Sequence, residues 1–510
     1  MGKGKRTRLQ NAGKKEEILR RQQEEQQRRV RRRKIGIGVG AAAVILCGSL
    51  IGKAVYDHQR LYSGDDLRAT IMAESENYQV TGTMMSVYVN SMYQNYVSQY
   101  GDYLYLLGLD PDTSLKAQAY SNDQTWFDYL TSAAESNARQ YLILAEAAAD
   151  AGVSLTEGEI ANLDASLEKV DPSSYGIGVN REDLRKAMML QSLAAKYQNI
   201  LDNGYTYSED EIQKYYQDNL YDFLSCDTYS YTFSYETESE EEGKDGDTGK
   251  TGMTREQAQK LASELASCEE EESFCQWLRA YFEANHEPEE DETEEGLASQ
   301  VETQVEACKQ TLTYTEGDDI SEWAYADGAK VGQTYVLEDV EKQTFTVTLL
   351  ASLPARDESV TVDIRHILLT PDRYGSEEAA KEKAEELLQE WKDGDTTEDS
   401  FAELAGSWSA DSGSSLNGGL YRYVVEGQMV EAFNDWCFDS SRKAGDTGIV
   451  QTDYGFHVMY YTGTETPGWK AQAESSLTEQ SYDADYEAMS NAHTVTVYAD
   501  RYDQIPSITG

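Results

Sequence analysis

Three observations predict an α+β protein of several domains. An 18-residue run without charge, Ile35 to Gly52, separates a basic tail from an acidic body. Beyond it, apolar residues recur at three- and four-residue steps over long stretches, the helical period. Further on, short β-branched runs such as Val362-Asp363-Ile364-Arg365-His366-Ile367-Leu368-Leu369 alternate with helical patterns, which marks strands. A chain of 510 residues has room for roughly three to four such domains.

The charge is unevenly spread. Residues 1–34 hold 14 Lys/Arg against 4 Asp/Glu, a net of +10, and the remainder holds 30 against 88, a net of −58. At about 1.5 Å per residue the uncharged run spans about 27 Å, close to a hydrocarbon core of about 30 Å. Lys34 and Lys53 bound it and can reach the headgroups. The cluster Arg28-Arg29-Val30-Arg31-Arg32-Arg33-Lys34 directly precedes it. The positive-inside rule therefore predicts a cytoplasmic tail over 1–34, a transmembrane anchor over 35–56 and an extracytoplasmic bulk. Ala54-Val55-Tyr56 is a poor cleavage site for a signal peptide, and Leu46 before Cys47 does not suit a lipoprotein. The basic cluster fits topology better than nucleic acid, so no nucleic-acid partner is expected. Gly36/Gly40 and Gly48/Gly52 have the GxxxG spacing that lets helices approach closely, which leaves a homodimer open; glycine is also common in such spans.

Residues 57–222 read as a mainly helical domain. Ala69 to Ala73 has the pattern of a short strand, and Thr81 to about Leu107 and Asp123 to Gly152 those of helices. The second helix carries Trp126, Leu130, Ala134, Ala138, Tyr141, Leu142 and Ala145 on one face. Thr156-Glu157-Gly158-Glu159 and Ser208-Glu209-Asp210-Glu211 are capping boxes that start two more. Glu236–Gly252 and Glu287–Gly296 are acidic and apolar-poor, and are expected as loose insertions. From about Lys470 to Asn491 a helix is predicted, then a strand from His493 to Ala499. A lone strand needs a partner, and Ala69–Ala73 would bring 466–510 back to the helical domain.

The chain also repeats itself. Glu322-Trp323-Ala324-Tyr325 and Lys330-Val331-Gly332-Gln333-Thr334 match Asp435-Trp436-Cys437-Phe438 and Lys443-Ala444-Gly445-Asp446-Thr447 at a constant offset of 113. Asp227–Phe233 likewise stands where Asp363–Leu369 stands in the later copy. Five cysteines beyond the apolar run, Cys226, Cys268, Cys275, Cys308 and Cys437, contain no CxxC, and their odd number is no disulfide framework. There is no GxSxG, Walker loop or HExxH, and no cofactor or metal is implied.

The later copy holds six short motifs in one order. They are Val362–Leu369, Phe401-Ala402-Glu403-Leu404-Ala405, Trp408-Ser409-Ala410-Asp411, Asn417-Gly418-Gly419-Leu420, Gly427-Gln428-Met429-Val430 and Thr452-Asp453-Tyr454-Gly455-Phe456-His457. That order and spacing resemble the parvulin family of peptidyl-prolyl cis/trans isomerases. The resemblance implies an isomerase domain over 357–465 and, by the repeat, a degenerate parvulin-like module over 223–356. The degenerate copy has no histidine in its opening strand. The arrangement around them resembles membrane-anchored foldases of the PrsA and SurA kind, with a helical chaperone-like domain completed by the C-terminus.

The same resemblance assigns the site. His366 and His457 would form a hydrogen-bonded pair under the substrate amide, Asp411 would oppose amide resonance, and Thr452 would join the histidine network. Leu420, Met429 and Phe433 would line the proline-ring pocket. The family's usual Gly-Asp-Leu-Gly-Trp/Phe is here Gly418-Gly419-Leu420-Tyr421-Arg422-Tyr423, which puts substrate preference in question. The expected partners are unfolded or newly exported proline-containing polypeptides, held on apolar surface around Trp126, Tyr141 and the stretch from Met84 to Tyr105.

The charge asymmetry makes one expectation directly testable. Protease added to intact cells should digest the chain beyond Lys53 and leave a small N-terminal fragment in the membrane; protection of the acidic bulk would reverse the orientation.

Overall fold

The computed structural model of the chain describes residues 64–121, 123–236, 252–286 and 293–506. The basic tail, the expected membrane anchor and most of the first acidic stretch lie outside them. Among the described residues no helix is long and apolar enough to cross a membrane. The chain is a mixed α+β protein of several domains, gathered into two compact units.

The first unit begins with helix α1 (Gly64–Ala69), strands β1 (Ile71–Glu74) and β2 (Gln79–Thr81), and helix α2 (Gly82–Tyr100). The Thr81 hydroxyl caps α2 by accepting from the Met84 amide. The expected continuation to Leu107 is instead a 3-10 turn over Gly101–Leu107, because Gly101 takes a positive φ of 45° and ends the α-helix. Helices α3 (Trp126–Asp150), α4 (Glu157–Leu167) and α5 (Arg181–Gly204) follow, each opened by a reciprocal capping box. Their apolar faces close one core around Met85, Leu130, Leu142 and Leu184.

The second unit starts with α6 (Glu209–Asp218), capped by Ser208 as the sequence predicts. Strand β3 (Leu224–Ser234) leads to helices α7 (Arg255–Ala266), α8 (Glu271–Ala284) and α9 (Glu294–Glu306). Of the second acidic stretch, residues 287–292 lie outside the described residues, and Thr293 to Gly296, expected as loose, instead form the start of α9. The Thr293 hydroxyl accepts from the Gly296 amide at 3.0 Å, and Glu294 and Glu295 sit in the first turn, where the helix dipole favours acidic side chains. Strand β4 (Lys309–Thr313), helix α10 (Asp319–Ala324) and strands β5 (Thr334–Asp339), β6 (Thr344–Leu350) and β7 (Ala355–Arg356) complete it. The sheet order is β4-β3-β6-β5, with β7 also on β3.

The chain then re-enters the first unit through β8 (Val360–Leu369), α11 (Pro371–Tyr374), α12 (Glu377–Asp393) and α13 (Glu398–Trp408). Strand β9 (Leu420–Val425), helix α14 (Glu431–Cys437) and strands β10 (Thr447–Thr452) and β11 (Gly455–Pro467) follow. These strands form a sheet ordered β10-β11-β8-β9. Matching β8 with β3, β9 with β4, β10 with β5 and β11 with β6 gives the same order as the second unit's sheet. One face of the β8 sheet carries Ile367, Leu369, Phe456 and Val458 against α12 and α13.

The last elements are α15 (Gly468–Ala492) and β12 (Thr496–Val497). β12 pairs antiparallel with β1, Ala73 opposite Val497 and Glu74 opposite Thr496, which is the return to the helical domain read from the sequence. The strand is shorter than His493–Ala499, because a 3-10 turn starts at Ala499. That turn brings Tyr502 and Ile505 into the helical core. Tyr482 of α15 packs with Leu144 and Ala194 in a second cluster.

Ile505 is fully buried there. Ile505→Ala should therefore lower the stability of the helical domain by about 2–5 kcal/mol, read as a lower denaturation midpoint. An unchanged midpoint would mean that the C-terminal return does not hold the domain together.

Candidate active site

The site lies on the face of the β8 sheet opposite α12 and α13. Side chains alternate along β8: Ile367 and Leu369 face the helices, so Ile364 and His366 face the other way. His366 and His457 are buried, 2% and 5% exposed. Buried polar groups are costly unless bonded, and here all four ring nitrogens have partners. Nδ1 of His366 meets Nδ1 of His457 at 3.1 Å. Nε2 of His366 lies 2.9 Å from Oδ2 of Asp411 and 3.2 Å from Oγ of Ser414. Nε2 of His457 lies 2.9 Å from Oγ1 of Thr452.

The protonation pattern follows from donor and acceptor chemistry. Burial alone would raise the Asp411 carboxyl, but the hydrogen bond from His366, with those from the hydroxyls of Ser414 and Tyr421, holds it well below the usual range. As a carboxylate Asp411 only accepts, so Nε2 of His366 carries a hydrogen. With one ring hydrogen on each imidazole, Nδ1 of His366 accepts from Nδ1–H of His457. Nε2 of His457 is then bare and accepts from the Thr452 hydroxyl. One direction of donation runs from Thr452 through both rings to Asp411. Burial pushes His457 down to about 3, so its ring is neutral at ordinary pH.

The loop that carries Asp411 is tightly held. The Ala410 amide donates to the Leu368 carbonyl at 2.8 Å, and the Ser409 hydroxyl accepts from the amides of Leu368 (3.1 Å) and Asp411 (3.2 Å). The Gly413 amide donates to Oδ1 of Asp411 at 3.1 Å, and the Ser414 hydroxyl donates to its Oδ2. On the far side of β8, Arg365 donates to Glu398 and to the carbonyls of Asn417 and Gly418 at 2.8–3.0 Å. Gly419 follows with φ of +73°, and a Cβ there would stand 2.2 Å from the His366 carbonyl oxygen, so only glycine allows this crossing.

The structure brings together six of the seven residues expected at the site. His366, His457, Asp411 and Thr452 form the chain of hydrogen bonds. The Phe433 ring stands edge-on to both imidazoles, 5.4 Å from His366 and 5.2 Å from His457, and Met429 packs in the same apolar cluster. Leu420 is the exception. It pairs with Arg365, on the opposite face of the sheet from His366, whereas its neighbour Tyr421 pairs with Ile364 on the histidine face. Tyr421 stacks on His366 with ring centroids 4.9 Å apart and donates its hydroxyl to Oδ2 of Asp411 at 2.8 Å. Tyr421 therefore takes the wall position expected of Leu420. Strand alternation counted from the Gly419 crossing would have shown this, since a shift of one residue exchanges the faces. Ser414 also went unread, hidden in a Ser/Gly run that looks like any turn.

Comparison with known proteins agrees with this geometry. The family model of the PPIC-type PPIASE domain matches residues 348–464. These residues are a parvulin-type isomerase domain. Over 133 residues, 25% of the chain, it is 35% identical to Chaperone SurA of Pseudomonas putida, of which the match covers 29%. It is 29% identical over 116 residues to Foldase protein PrsA 1 of Listeria innocua, covering 23% of this chain and 35% of that protein. The match thus spans about a third or less of these relatives. Among solved structures, the peptidylprolyl isomerase PrsA of Bacillus cereus matches 64% of this chain and 93% of its own at 17% identity, with a TM-score of 0.19.

The neutral, buried His457 gives the parvulin domain a defined pH response. Its value in the folded chain lies below the ordinary 6.5, so the unfolded chain takes up the proton first. The His457 contribution is intact above about pH 6.5 and is lost as pH falls toward about 3. Melting temperature should fall more steeply between pH 6.5 and about 4.5 in the wild type than in His457→Asn, which cannot titrate there. Parallel curves would mean that the ring is already charged in the folded state.

Proposed function

We propose that the chain is a membrane-anchored, extracytoplasmic foldase that isomerises X–Pro peptide bonds in exported polypeptides. The observation that carries this reading is the hydrogen-bonded run Thr452–His457–His366–Asp411, its two histidines buried, walled by Tyr421, Met429 and Phe433. Rotation about a peptide bond faces a barrier of about 18–20 kcal/mol, set by amide resonance. Lowering it requires no covalent step, only a site that binds the twisted amide better than either planar isomer. Asp411 supplies a fixed negative charge whose position the histidines and three hydroxyls hold before substrate arrives, which is electrostatic preorganisation. Tyr421, Met429 and Phe433 supply an apolar wall for the proline ring. Anchoring and orientation rest on the Ile35–Gly52 run and the basic cluster before it.

The second unit's sheet is read as the degenerate module over 223–356. Where β8 and β11 carry facing histidines, β3 and β6 carry hydroxyl pairs: Ser230 with Thr348 at 2.8 Å and Thr232 with Thr346 at 2.9 Å. No charge stands among them, so this sheet is assigned no isomerase activity.

A non-catalytic holdase is the second reading, and exposed apolar residues favour it. They occupy only part of the region expected from the sequence, the C-terminal end of the Met84–Tyr105 stretch and the surroundings of Trp126. Trp126, Met84, Met85 and Tyr88 are core residues, and Tyr141 is largely covered. Tyr103 and Tyr105, within that stretch, are 57% and 62% exposed, and Leu106 and Tyr120 beyond it are 40% and 42% exposed on the helical domain. Client holding is assigned to these four.

Asp411→Ala should lower isomerisation of a short proline peptide by the whole chain on the order of a hundredfold, while leaving suppression of client aggregation unchanged. Replacing Tyr103, Tyr105 and Leu106 by Ser should do the reverse. Wild-type isomerisation by a folded Asp411→Ala chain would remove the catalytic role and leave the holdase reading.

A further inference from the structure

The loop that presents Asp411 is secured from outside its own domain. Helix α13 ends at Trp408, and the last carbonyls of a helix have no partner within it. The Ser409 amide returns to Ala405 at 2.9 Å, but the carbonyls of Gly406, Trp408 and Ser409 need other donors. Asn162 of α4, in the helical domain, supplies two of them. Its Nδ2 donates to Gly406 at 3.0 Å and to Ser409 at 2.9 Å. Nη1 of Arg373 donates to the Trp408 carbonyl at 3.2 Å and to Oδ1 of Asn162 at 2.6 Å. Asn162 is 8% exposed and uses both ends of its amide.

The approach of the two helices is itself built for this contact. A Cβ on Gly158 of α4 would stand 2.1 Å from the Ser407 hydroxyl and 3.0 Å from its Cβ, so α4 lies close against α13 here and a larger residue would have to displace the Ser407 side chain. The capping box of Thr156 and Glu159 starts α4 at this point, and Lys196 of α5 pairs with Glu159 at 2.7 Å. From Asn162 the path to the site is short. It holds the Ser409 carbonyl; the Ser409 hydroxyl holds the Asp411 amide; and Asp411 holds Nε2 of His366.

We propose that Asn162 is a positioning residue for the isomerase site, through which the docked helical domain sets the placement of Asp411 against His366. The proposal rests on the isomerase reading above. Removing Asn162 frees two buried carbonyls at the base of the loop, and a displacement there of about 1 Å is enough to cost catalysis heavily. An aspartate at this position would keep the acceptor for Arg373 but lose both donations.

The test uses the whole chain with Asn162→Ala and Asn162→Asp, each compared with its parent in the wild-type and Asp411→Ala backgrounds. Folding is followed by melting temperature, and the imidazole N–H signals of His366 and His457 by nitrogen–proton NMR. Either variant should lower kcat/KM about ten- to a hundredfold in the wild-type background and have no further effect once Asp411 is gone. The His366 Nε2–H signal should move in step. Should Asn162→Ala not fold, Asn162→Asp, which keeps the size and the Arg373 partner, decides alone. Wild-type rates with an unmoved His366 signal would overturn the proposal. So would an equal loss in both backgrounds, since a general loosening of the fold does not depend on Asp411. If the wild-type chain itself does not isomerise, the functional reading fails; the His366 signal then still decides whether Asn162 places Asp411, a shift upholding it and no shift overturning it.

Discussion

Two imidazoles buried side by side are tolerable only if every ring nitrogen is bonded, and the parvulin domain is arranged around that requirement. Strands β8 and β11 must be neighbours to bring Nδ1 to Nδ1. The β10–β11 turn must be tight enough to return Thr452 to Nε2 of His457, and Gly455 opposite Thr452 makes it so. The segment after α13 must fold back along β8 to bring Asp411 to Nε2 of His366, which the Ala410–Leu368 and Ser409–Leu368 hydrogen bonds enforce. Each of these is a backbone condition, yet each is set by what a ring nitrogen needs. An unpartnered polar atom in such a place would cost about 1–3 kcal/mol.

The same economy explains why the chain leaves the first unit and comes back. The helical domain closes its core only when Tyr502 and Ile505 arrive from the far end, and β1 finds its second neighbour only in β12. The intervening modules are therefore insertions between two halves of one folding unit. Contacts between residues 424 positions apart, such as the Tyr498 hydroxyl donating to Glu74 at 2.5 Å, require loop closure over nearly the whole chain. Such closure costs entropy that grows only slowly with length, so a long insertion is compatible with a stable domain.

What the sequence made legible was periodic or local. Helical spacing located α3 and α15 to within a few residues, and capping boxes located the starts of α4 and α6. The order of six motifs located both histidines, because histidine is scarce here and two of five fell on family positions. What stayed hidden depended on register or on tertiary contact. Leu420 and Tyr421 are both apolar enough for a pocket wall, and only the pairing with Arg365 and Ile364 separates them. Asn162 follows a helical pattern like any half-buried residue; its meaning lies in carbonyls 244 and 247 positions away. Within the stretch from Met84 to Tyr105, composition alone does not separate the first part, buried against α3 and α5, from the exposed Tyr103 and Tyr105 at its end.

The two sheets show how little separates a site from a scaffold. They share a strand order, and the repeat offset of 113 carries Thr334, where β5 begins, onto Thr447, where β10 begins. The facing positions on the two central strands differ in kind. A Ser–Thr or Thr–Thr pair satisfies itself with one hydrogen bond and needs no further partner at either end. A pair of imidazoles has two further nitrogens to satisfy, and so recruits a hydroxyl at one end and a carboxylate at the other. The carboxylate is the group able to act on an amide, and the buried histidine pair is what holds it in place. Exchanging the histidines for hydroxyls removes that demand, and with it the structural reason to keep a buried charge beside the strand. The chemistry and the packing of the parvulin domain are thus one constraint, met in one sheet and absent from the other.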